Sequence, residues 1–287
     1  MKQSQVYFIK DITPENLVRI YEALGGTLAG RVAVKLHSGE AGNQNYIRPE
    51  FVKPLIEQIG GTVAECNTAY EGERNTTQKH EALMEKHGWS RHFKVDIMDA
   101  DEDMVLEIPN GLQIKKNYVG SHMADYDSML VLSHFKGHPM GGYGGALKQL
   151  SIGCASAFGK AYIHGAGNPD RLWSTEQELF LEAMADAAFS VADYFKGRLA
   201  YINVMCNLSV DCDCCAVAED PCMKDIGILA GLDPVALDQA CIDLIYQSDD
   251  PGREHFIERV ESRNGIHTIE AAKKLGIGSR EYRLTEL

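Results

Sequence analysis

The chain has 287 residues, of which 45% are hydrophobic and 24% charged, and its formal net charge is −13 at pH 7. This is the composition of a globular protein with a large core, and the acidic balance argues against a nucleic-acid-binding surface, which needs excess basic residues. No apolar run approaches the ~20 residues of a membrane-spanning helix, and the N-terminal segment lacks the apolar core of a secretory signal. We therefore expect a cytoplasmic protein that binds neither nucleic acid nor membranes.

Predicted strands and helices alternate along the chain. The predicted strands are residues 6–9, 31–37, 62–66, 95–98, 129–133 and 200–205. The predicted helices are the segment between Thr13 and Gly25 and residues 49–59, 77–87, 146–154, 175–195, 234–246 and 252–261. Because parallel strands need connections of about a dozen residues, this order predicts an α/β fold, with a mixed or mostly parallel sheet flanked by helices. No linker or repeat marks a boundary, so residues 1–287 are expected to form one α/β unit, as a single large domain or two closely packed subdomains.

The loop after the strand predicted at residues 31–37 is rich in polar side chains and leads into the helix predicted at 49–59. In α/β sheets, a loop between a strand and the following helix is the usual position of ligand-binding groups. The residues expected to bind a carboxylate or a phosphate are Lys35, His37, Asn43, Asn45 and Arg48. A solvated loop before a capped helix would explain the same residues without a ligand.

Histidines, lysines and glycines follow the strand predicted at residues 129–133. Gly137 and Pro139 disfavour a helix, so His134 and His138 do not form the helical histidine pair of a zinc protease. The glycines of the next segment are Gly141, Gly142, Gly144 and Gly145. Such a loop before a helix lets free backbone amides approach an anion, although the glycines would serve turns and close packing equally well. The residues expected to hold or act on an anion here are Lys136, Gly144, Gly145 and Lys148.

Five of the eight cysteines lie within seventeen residues, at Cys206, Cys212, Cys214, Cys215 and Cys222. Thiolates are preferred ligands of zinc, iron and copper(I), and a reducing compartment disfavours disulfides. The spacing lacks the paired ligands of a zinc ribbon or a ferredoxin, so we expect two or three of these cysteines to bind metal, completed by His134 or His138. A redox dithiol, such as a Cys214–Cys215 pair, and a set of unrelated buried thiols are the alternatives.

Three aspartates follow the cysteines. Asp233 precedes Pro234 at the start of a predicted helix, and helix capping explains it fully. Asp225 and Asp238 remain possible carboxylates of the site.

Several separate strings of this sequence, in this order, resemble the family catalogued as domain of unknown function 362. They are Gly39-Glu40-x-Gly42-Asn43-x-Asn45-Tyr46-Ile47-Arg48-Pro49, Ser133-His134-Phe135-Lys136-Gly137-His138, Gly144-Gly145-Ala146-Leu147-Lys148, Cys212-Asp213-Cys214, Asp225-Ile226-Gly227 and Asp233-Pro234-Val235-Ala236-Leu237-Asp238. Members of that family often carry a ferredoxin-like module after a segment like Gly159–His164. This chain has no cysteine between Gly165 and Trp173, so the resemblance implies no ferredoxin-type cluster here.

These features predict a metal-binding protein, most simply an enzyme that acts on a small anionic molecule by metal-assisted or redox chemistry. The predicted metal ligands are Cys206, Cys212, Cys214, Cys215, His134 and His138, and the metal is iron, zinc or an iron–sulfur centre. The predicted catalytic residues are Lys35, Lys148, His134 and Asp225. A redox reaction would need an electron-transfer partner. The alternatives are a non-catalytic protein that handles metal or iron–sulfur centres, and a metal-free dithiol protein.

Overall fold

Strands and helices alternate in the computed structural model of the protein, which describes residues 3–26 and 28–287. The strands in these ranges are β1 (Ser4–Ile9), β2 (Val32–Lys35), β3 (Thr62–Glu65), β4 (Val95–Ile97), β5 (Asp103–Glu107), β6 (Lys116–Gly120), β7 (Ser128–His134), β8 (Lys136–His138), β9 (Gly142–Gly144), β10 (Leu199–Met205), β11 (Gly227–Gly231) and β12 (Tyr282–Glu286). The α-helices are α1 (Pro14–Glu22), α2 (Pro49–Ile59), α3 (Thr77–Lys86), α4 (Trp89–His92), α5 (Ala146–Ser151), α6 (Ala157–His164), α7 (Gln177–Phe195), α8 (Pro234–Gln247), α9 (Arg253–Ser262) and α10 (Ile266–Leu275).

Eight strands form one mixed, mostly parallel sheet in the order β12-β1-β11-β10-β7-β2-β3-β4. The pairs β10–β7, β7–β2, β2–β3, β3–β4 and β1–β12 are parallel, and β11 runs antiparallel to both β1 and β10. The predicted α/β fold is therefore confirmed. The pairs β5–β6 and β8–β9 are separate antiparallel hairpins.

Helices cover both faces of the sheet, because its central strands are apolar on both sides. Along β7, Met129 and Val131 belong to the core on one face, and Leu130 and Leu132 belong to the core on the other. Strands buried on both faces read as continuous apolar runs, which is typical of parallel sheets.

Helix ends follow from local sequence. The hydroxyl of Thr13 accepts a hydrogen bond from the Asn16 amide at the start of α1, as its position before Pro14 predicts. Asp233 caps α8 in the same way, by accepting from the amides of Val235 and Ala236. Most predicted elements are present with shifts of one to three residues. The prediction missed the elements α4, α6, α10, β11 and β12 and the two hairpins.

Four neighbouring parallel strands end at the same edge of the sheet. The order β10-β7-β2-β3 brings together the segments that follow Met205, His134, Lys35 and Glu65. Loops at the carboxyl ends of such strands form the usual ligand crevice of open α/β sheets. The cysteine segment follows β10, and the histidine and lysine segment follows β7.

Within the described part of the chain, no helix combines the length and the apolar character needed to cross a membrane.

Candidate metal centre

Two cysteines and one histidine meet at this edge of the sheet. The possible ligand atoms of His138, Cys212 and Cys214 all lie within 4.8 Å of one another. His138 and Cys212 are buried and Cys214 is half-buried, so the cluster is closed on one side and open on the other. The Nε2 atom of His138 lies 3.9 Å from the Sγ atom of Cys214. The structure thus brings together residues of two distant segments as a group that could hold a metal ion.

A buried aspartate between the two cysteines fixes their position. Asp213 Oδ1 lies 2.8 Å from Nδ1 of His134, and its Oδ2 lies 2.8 Å from Nζ of Lys136. All three side chains are at most 7% exposed. Side chains two residues apart in extended chain share a face, so His134, Lys136 and His138 form a row along the cysteine segment. Gly137 lies between them because an added Cβ would meet Val210 O at 2.3 Å.

The three charged groups of this network stabilise one another. Burial disfavours the ionised carboxylate, but His134 and Lys136 outweigh this effect and hold the pKa of Asp213 well below its usual value. Burial also works against a charged imidazole, but the contact with Asp213 outweighs it and raises the pKa of His134 to about 10. The remaining nitrogen of His134, Nε2, donates to Cys206 O at 2.6 Å. His134 has therefore no free nitrogen for a metal or a substrate, contrary to its predicted roles, and Lys136 is committed to Asp213 and to His134 O.

The polar loop after β2 also holds the cysteine segment. The amide nitrogen of Asn43 donates to Cys215 O at 2.8 Å and to Cys212 O at 3.3 Å. Asn45 donates to Glu219 O, and the exposed Arg48 donates to Gln44 O. The side-chain donors of Asn43 and Asn45 are used within the protein, and the exposed Arg48 does not line the cavity described below, so these contacts do not support the predicted binding of a substrate anion.

The glycine loop before α5 meets an internal carboxylate. Asp238 accepts hydrogen bonds from the amides of Ala146 at 2.8 Å and Leu147 at 3.0 Å, the first amides of α5. An added Cβ on Gly145 would meet Asp238 Oδ1 at 2.5 Å, which explains the glycine. Asp238 thus takes up the first amides of α5, directly after Gly144 and Gly145, where a substrate anion is expected from the sequence. Burial raises the pKa of Asp238 to about 6.

A cavity of about 660 Å³ opens beside the cluster. Of the residues predicted for the site, Lys35, His37, Lys148, His138, Cys214 and Cys215 line it. Lys35 is bound to Glu65 at 2.7 Å, and Arg74 binds Glu40 at 3.1 Å, so these buried charges are paired.

Lys148 is the predicted residue with the most freedom to bind a ligand. Its side chain is half-buried and lines the cavity. Across residues 3–26 and 28–287, the structure gives its Nζ no hydrogen bond or ion pair. Its charge acts on the cluster, since burial and then the ammonium of Lys148 lower the pKa of His138 to about 4.

The residues predicted from the sequence did not include His164, which also lines the cavity. Its Nδ1 donates to Lys160 O at 2.8 Å and its ring stacks on Phe180, with centroids 4.7 Å apart. A carbonyl can only accept, so Nδ1 carries the proton and the neutral ring leaves Nε2 free to accept one. The segment Gly159–His164 resembles a segment of the family, and this resemblance is the sequence signal by which His164 could have been found.

Three other predicted residues lie outside the cluster. Asp225 is exposed, and its carboxylate accepts from the Asn207 amide in a turn, away from the cavity. Cys206 contributes its backbone carbonyl to His134. Cys215 lines the cavity beside Cys214, and the hydrogen bond with the thiol of Cys214 lowers the pKa of Cys215.

The ring orientation of His138 carries information about the cluster. Its Nδ1 accepts hydrogen bonds from the amides of Gly141 at 2.8 Å and Met140 at 3.2 Å. The neutral ring therefore carries its proton on Nε2, the atom that faces the sulfurs. The hydrogen bond with Cys214, and then burial, raise the pKa of Cys212 to about 11. An ion bound here must therefore displace thiol protons and also the Nε2 proton of His138.

Two solved structures share part of this architecture. A lactate racemase apoprotein from Thermoanaerobacterium thermosaccharolyticum is 14% identical, with a TM-score of 0.46, and the match covers 85% of this chain and 57% of that one. A protein from Thermotoga maritima is 11% identical, with a TM-score of 0.44, and the match covers 91% of this chain and 58% of that one. The chain thus spans less than two thirds of the length of either protein. No curated protein matches its sequence.

A family model matches residues 32–243, which is most of the chain. The matched range contains every residue of the cluster and of the buried network around Asp213. The match confirms the resemblance seen in the sequence, and the chain belongs to the family described as Domain of unknown function (DUF362).

Proposed function

We propose that the chain is an enzyme that binds a zinc or iron ion at His138, Cys212 and Cys214 and acts on a small anionic molecule in the adjoining cavity. The observation that carries this proposal is the meeting of three possible ligand atoms within 4.8 Å at the wall of the cavity. Sulfur and imidazole ligands suit zinc and iron. Structural zinc sites use four protein ligands, whereas catalytic sites use three and leave one position for water or substrate.

The charges around the cluster support an anionic substrate. The ammonium of Lys148, which has no hydrogen bond or ion pair among the described residues, faces the cavity on the side of His138. Lys35 is held by Glu65, and Lys160 donates to Ala155 O at 2.6 Å, so their positions are fixed by buried partners. In this proposal Lys148 binds the anion and orients it toward the cluster.

A proton acceptor is also in place. His164 presents an unprotonated Nε2 to the same cavity, with the ring fixed by Lys160 O and by Phe180. Burial lowers the pKa of His164 to about 4, so the ring is neutral at physiological pH. When bound, the metal ion would supply Lewis acidity or redox capacity, and His164 would accept a proton from the substrate.

A second function, a metal-free thiol site, is favoured by one specific observation. Because two amides donate to Nδ1 of His138, its Nε2–H can donate to a thiolate of the cluster. Metal-bound histidines ordinarily donate their other ring nitrogen to an acceptor, and His138 does the opposite. With Cys215 beside Cys214, the reaction would then be thiol–disulfide exchange.

Metal analysis of protein purified under anaerobic conditions separates the two proposals. We expect about one zinc or iron ion per chain in the wild type and a large loss in Cys212→Ser and Cys214→Ser. The matched controls are Cys206→Ser and Cys222→Ser, which alter cysteines of the same segment outside the cluster. Retention of metal in the two cluster variants would show that the ligands are wrongly assigned. Metal-free wild-type protein would leave the thiol site as the proposal to pursue.

A further inference from the structure

We infer that the cavity takes an amphipathic anion, with a carboxylate or phosphate head and an apolar body about the size of an aromatic ring. The inference rests on the proposed function and deepens it, since it names the class of anion. It follows from the combination of basic and apolar side chains that line the cavity.

The lining of the cavity carries an excess of positive charge. The basic residues that line the cavity are Lys35, Arg74, Lys148, Lys160 and Arg263, and Glu65 is the acidic residue that lines it in the described part of the chain. Glu65 neutralises Lys35, so the lining retains a positive excess. Lys148 is half-buried beside His138, and in the described part of the chain its Nζ has no hydrogen bond or ion pair. The guanidinium of Arg263 has none either, but Arg263 is exposed. The anionic head of a ligand would therefore bind at Lys148.

The cavity also has an apolar lining. Its side chains are Tyr70, Pro139, Met140, Ile152, Leu172 and Trp173. Trp173 is 68% exposed, which places it at the mouth. The rings of Tyr70 and Trp173 lie 6.5 Å apart, so they form one surface rather than two separate side chains.

A head group alone would leave this apolar lining in contact with water. Covering an exposed tryptophan at a cavity mouth with an apolar group lowers the free energy, because apolar surface is removed from water. The volume of about 660 Å³ is in the range that holds a whole ligand of drug-like size rather than a single inorganic anion. Tyr70 also links the mouth to the cluster, because its hydroxyl accepts from Arg74 at 3.0 Å and donates to Cys214 O at 3.4 Å.

Calorimetric titration tests the inference without any assumption about the reaction. The probes are 3-phenylpropionate and 2-phenylethyl phosphate, which distinguish a carboxylate head from a phosphate head. Acetate and inorganic phosphate supply the head alone, and 3-phenylpropanol supplies the body alone. We expect at least one of the first two probes to bind at least about tenfold more tightly than its head alone and than the alcohol.

Two variants locate the two parts of the ligand. Trp173→Ala should weaken binding of the amphipathic probe about tenfold and leave head-only binding unchanged, and Trp173→Phe should restore most of the loss. Lys148→Met should weaken binding of every anion and leave the alcohol unchanged. Phe158→Ala is the matched control, because Phe158 is an aromatic residue 46% exposed that does not line the cavity.

Several results would overturn the inference. They are the absence of binding by both amphipathic probes, equal affinity for probe and head alone, or no effect of Trp173→Ala. Metal content is measured separately. If wild-type protein contains no metal as purified but binds a probe, the proposed metal enzyme is refuted and the ligand class stands. Full metal loading without probe binding would refute the ligand class alone.

Discussion

Replacement of Asp213 by asparagine should cost about 3–5 kcal/mol of unfolding free energy. The carboxylate makes two contacts at 2.8 Å with cationic groups, and both partners are almost fully buried. The contact with His134 is a hydrogen bond between charged groups, which contributes about 1.5–3 kcal/mol, and the contact with Lys136 is an ion pair. Asparagine keeps the shape but leaves Lys136 buried without a counter-ion, and breaking a buried pair in this way costs a similar amount.

Urea unfolding under reducing conditions measures this loss. With an m-value of about 3 kcal/mol/M, the midpoint should fall by about 1–1.5 M. Asp211→Asn is the matched control, because Asp211 lies two residues earlier, is 19% exposed and pairs with Arg259 at 3.1 Å, so its loss should cost about 1 kcal/mol or less. Adding Lys136→Met to Asp213→Asn should recover part of the loss, since it removes the unpaired charge. A cost equal to that of the control would refute the view that this network fixes the cysteines.

Three further predictions follow from the fold around the site. Gly145→Ala should destabilise the protein by about 1–3 kcal/mol, because the added Cβ would contact the carboxylate of Asp238, which caps α5. At Gly144 an added Cβ would have its nearest neighbour at 3.5 Å, so Gly144→Ala should leave the thermal melt unchanged. Asn43→Ala removes two hydrogen bonds to the cysteine segment and should cost about 2–3 kcal/mol and lower the metal content. Hydrogen bonds to Asp96 and Asp101 raise the pKa of His122. The contribution of His122 to stability is therefore complete below pH ~6.5 and is lost as the pH rises through its pKa in the folded protein. The urea midpoint of His122→Gln should accordingly differ from that of the wild type more at pH 6 than at pH 8.5.

Each of these expectations has a clear contrary result. Equal stability of the two glycine variants would mean that the capping contact is not the reason for Gly145. Normal metal content in Asn43→Ala would show that the loop after β2 does not position the cysteines. A constant difference between wild type and His122→Gln across the pH range would mean that the imidazole does not titrate with folding.

The cysteine segment was the part of the site that sequence reasoning described best. Closely spaced cysteines with aspartates between them pointed to a metal site, and the structure brings Cys212 and Cys214 together with His138. The choice between His134 and His138 could not be made from the sequence, because both follow the same strand on the same face. That choice depends on Asp213, whose carboxylate contacts both His134 and Lys136. His134 is therefore left without a free nitrogen for a metal.

The anion-binding residues were the part described least well. Asn43, Asn45 and the glycines before α5 have the composition of a ligand loop, but their hydrogen bonds are made inside the protein. A glycine indicates that another group approaches the backbone closely, and an asparagine indicates that a hydrogen-bond donor is supplied. Neither residue indicates whether the partner is a ligand or another segment of the chain.

The alternation of apolar strands and capped helices determined the α/β fold, because strand burial and helix capping are set by residues close in the chain. The order of the strands, the pairing of Lys35 with Glu65, the capping of α5 by Asp238 and the cavity lined by Lys148, His164 and Trp173 were decided by the tertiary structure alone. Lys35 and Glu65 are 30 positions apart, and Ala146 and Asp238 are 92 positions apart, and no local pattern specifies which buried charge or donor meets which partner.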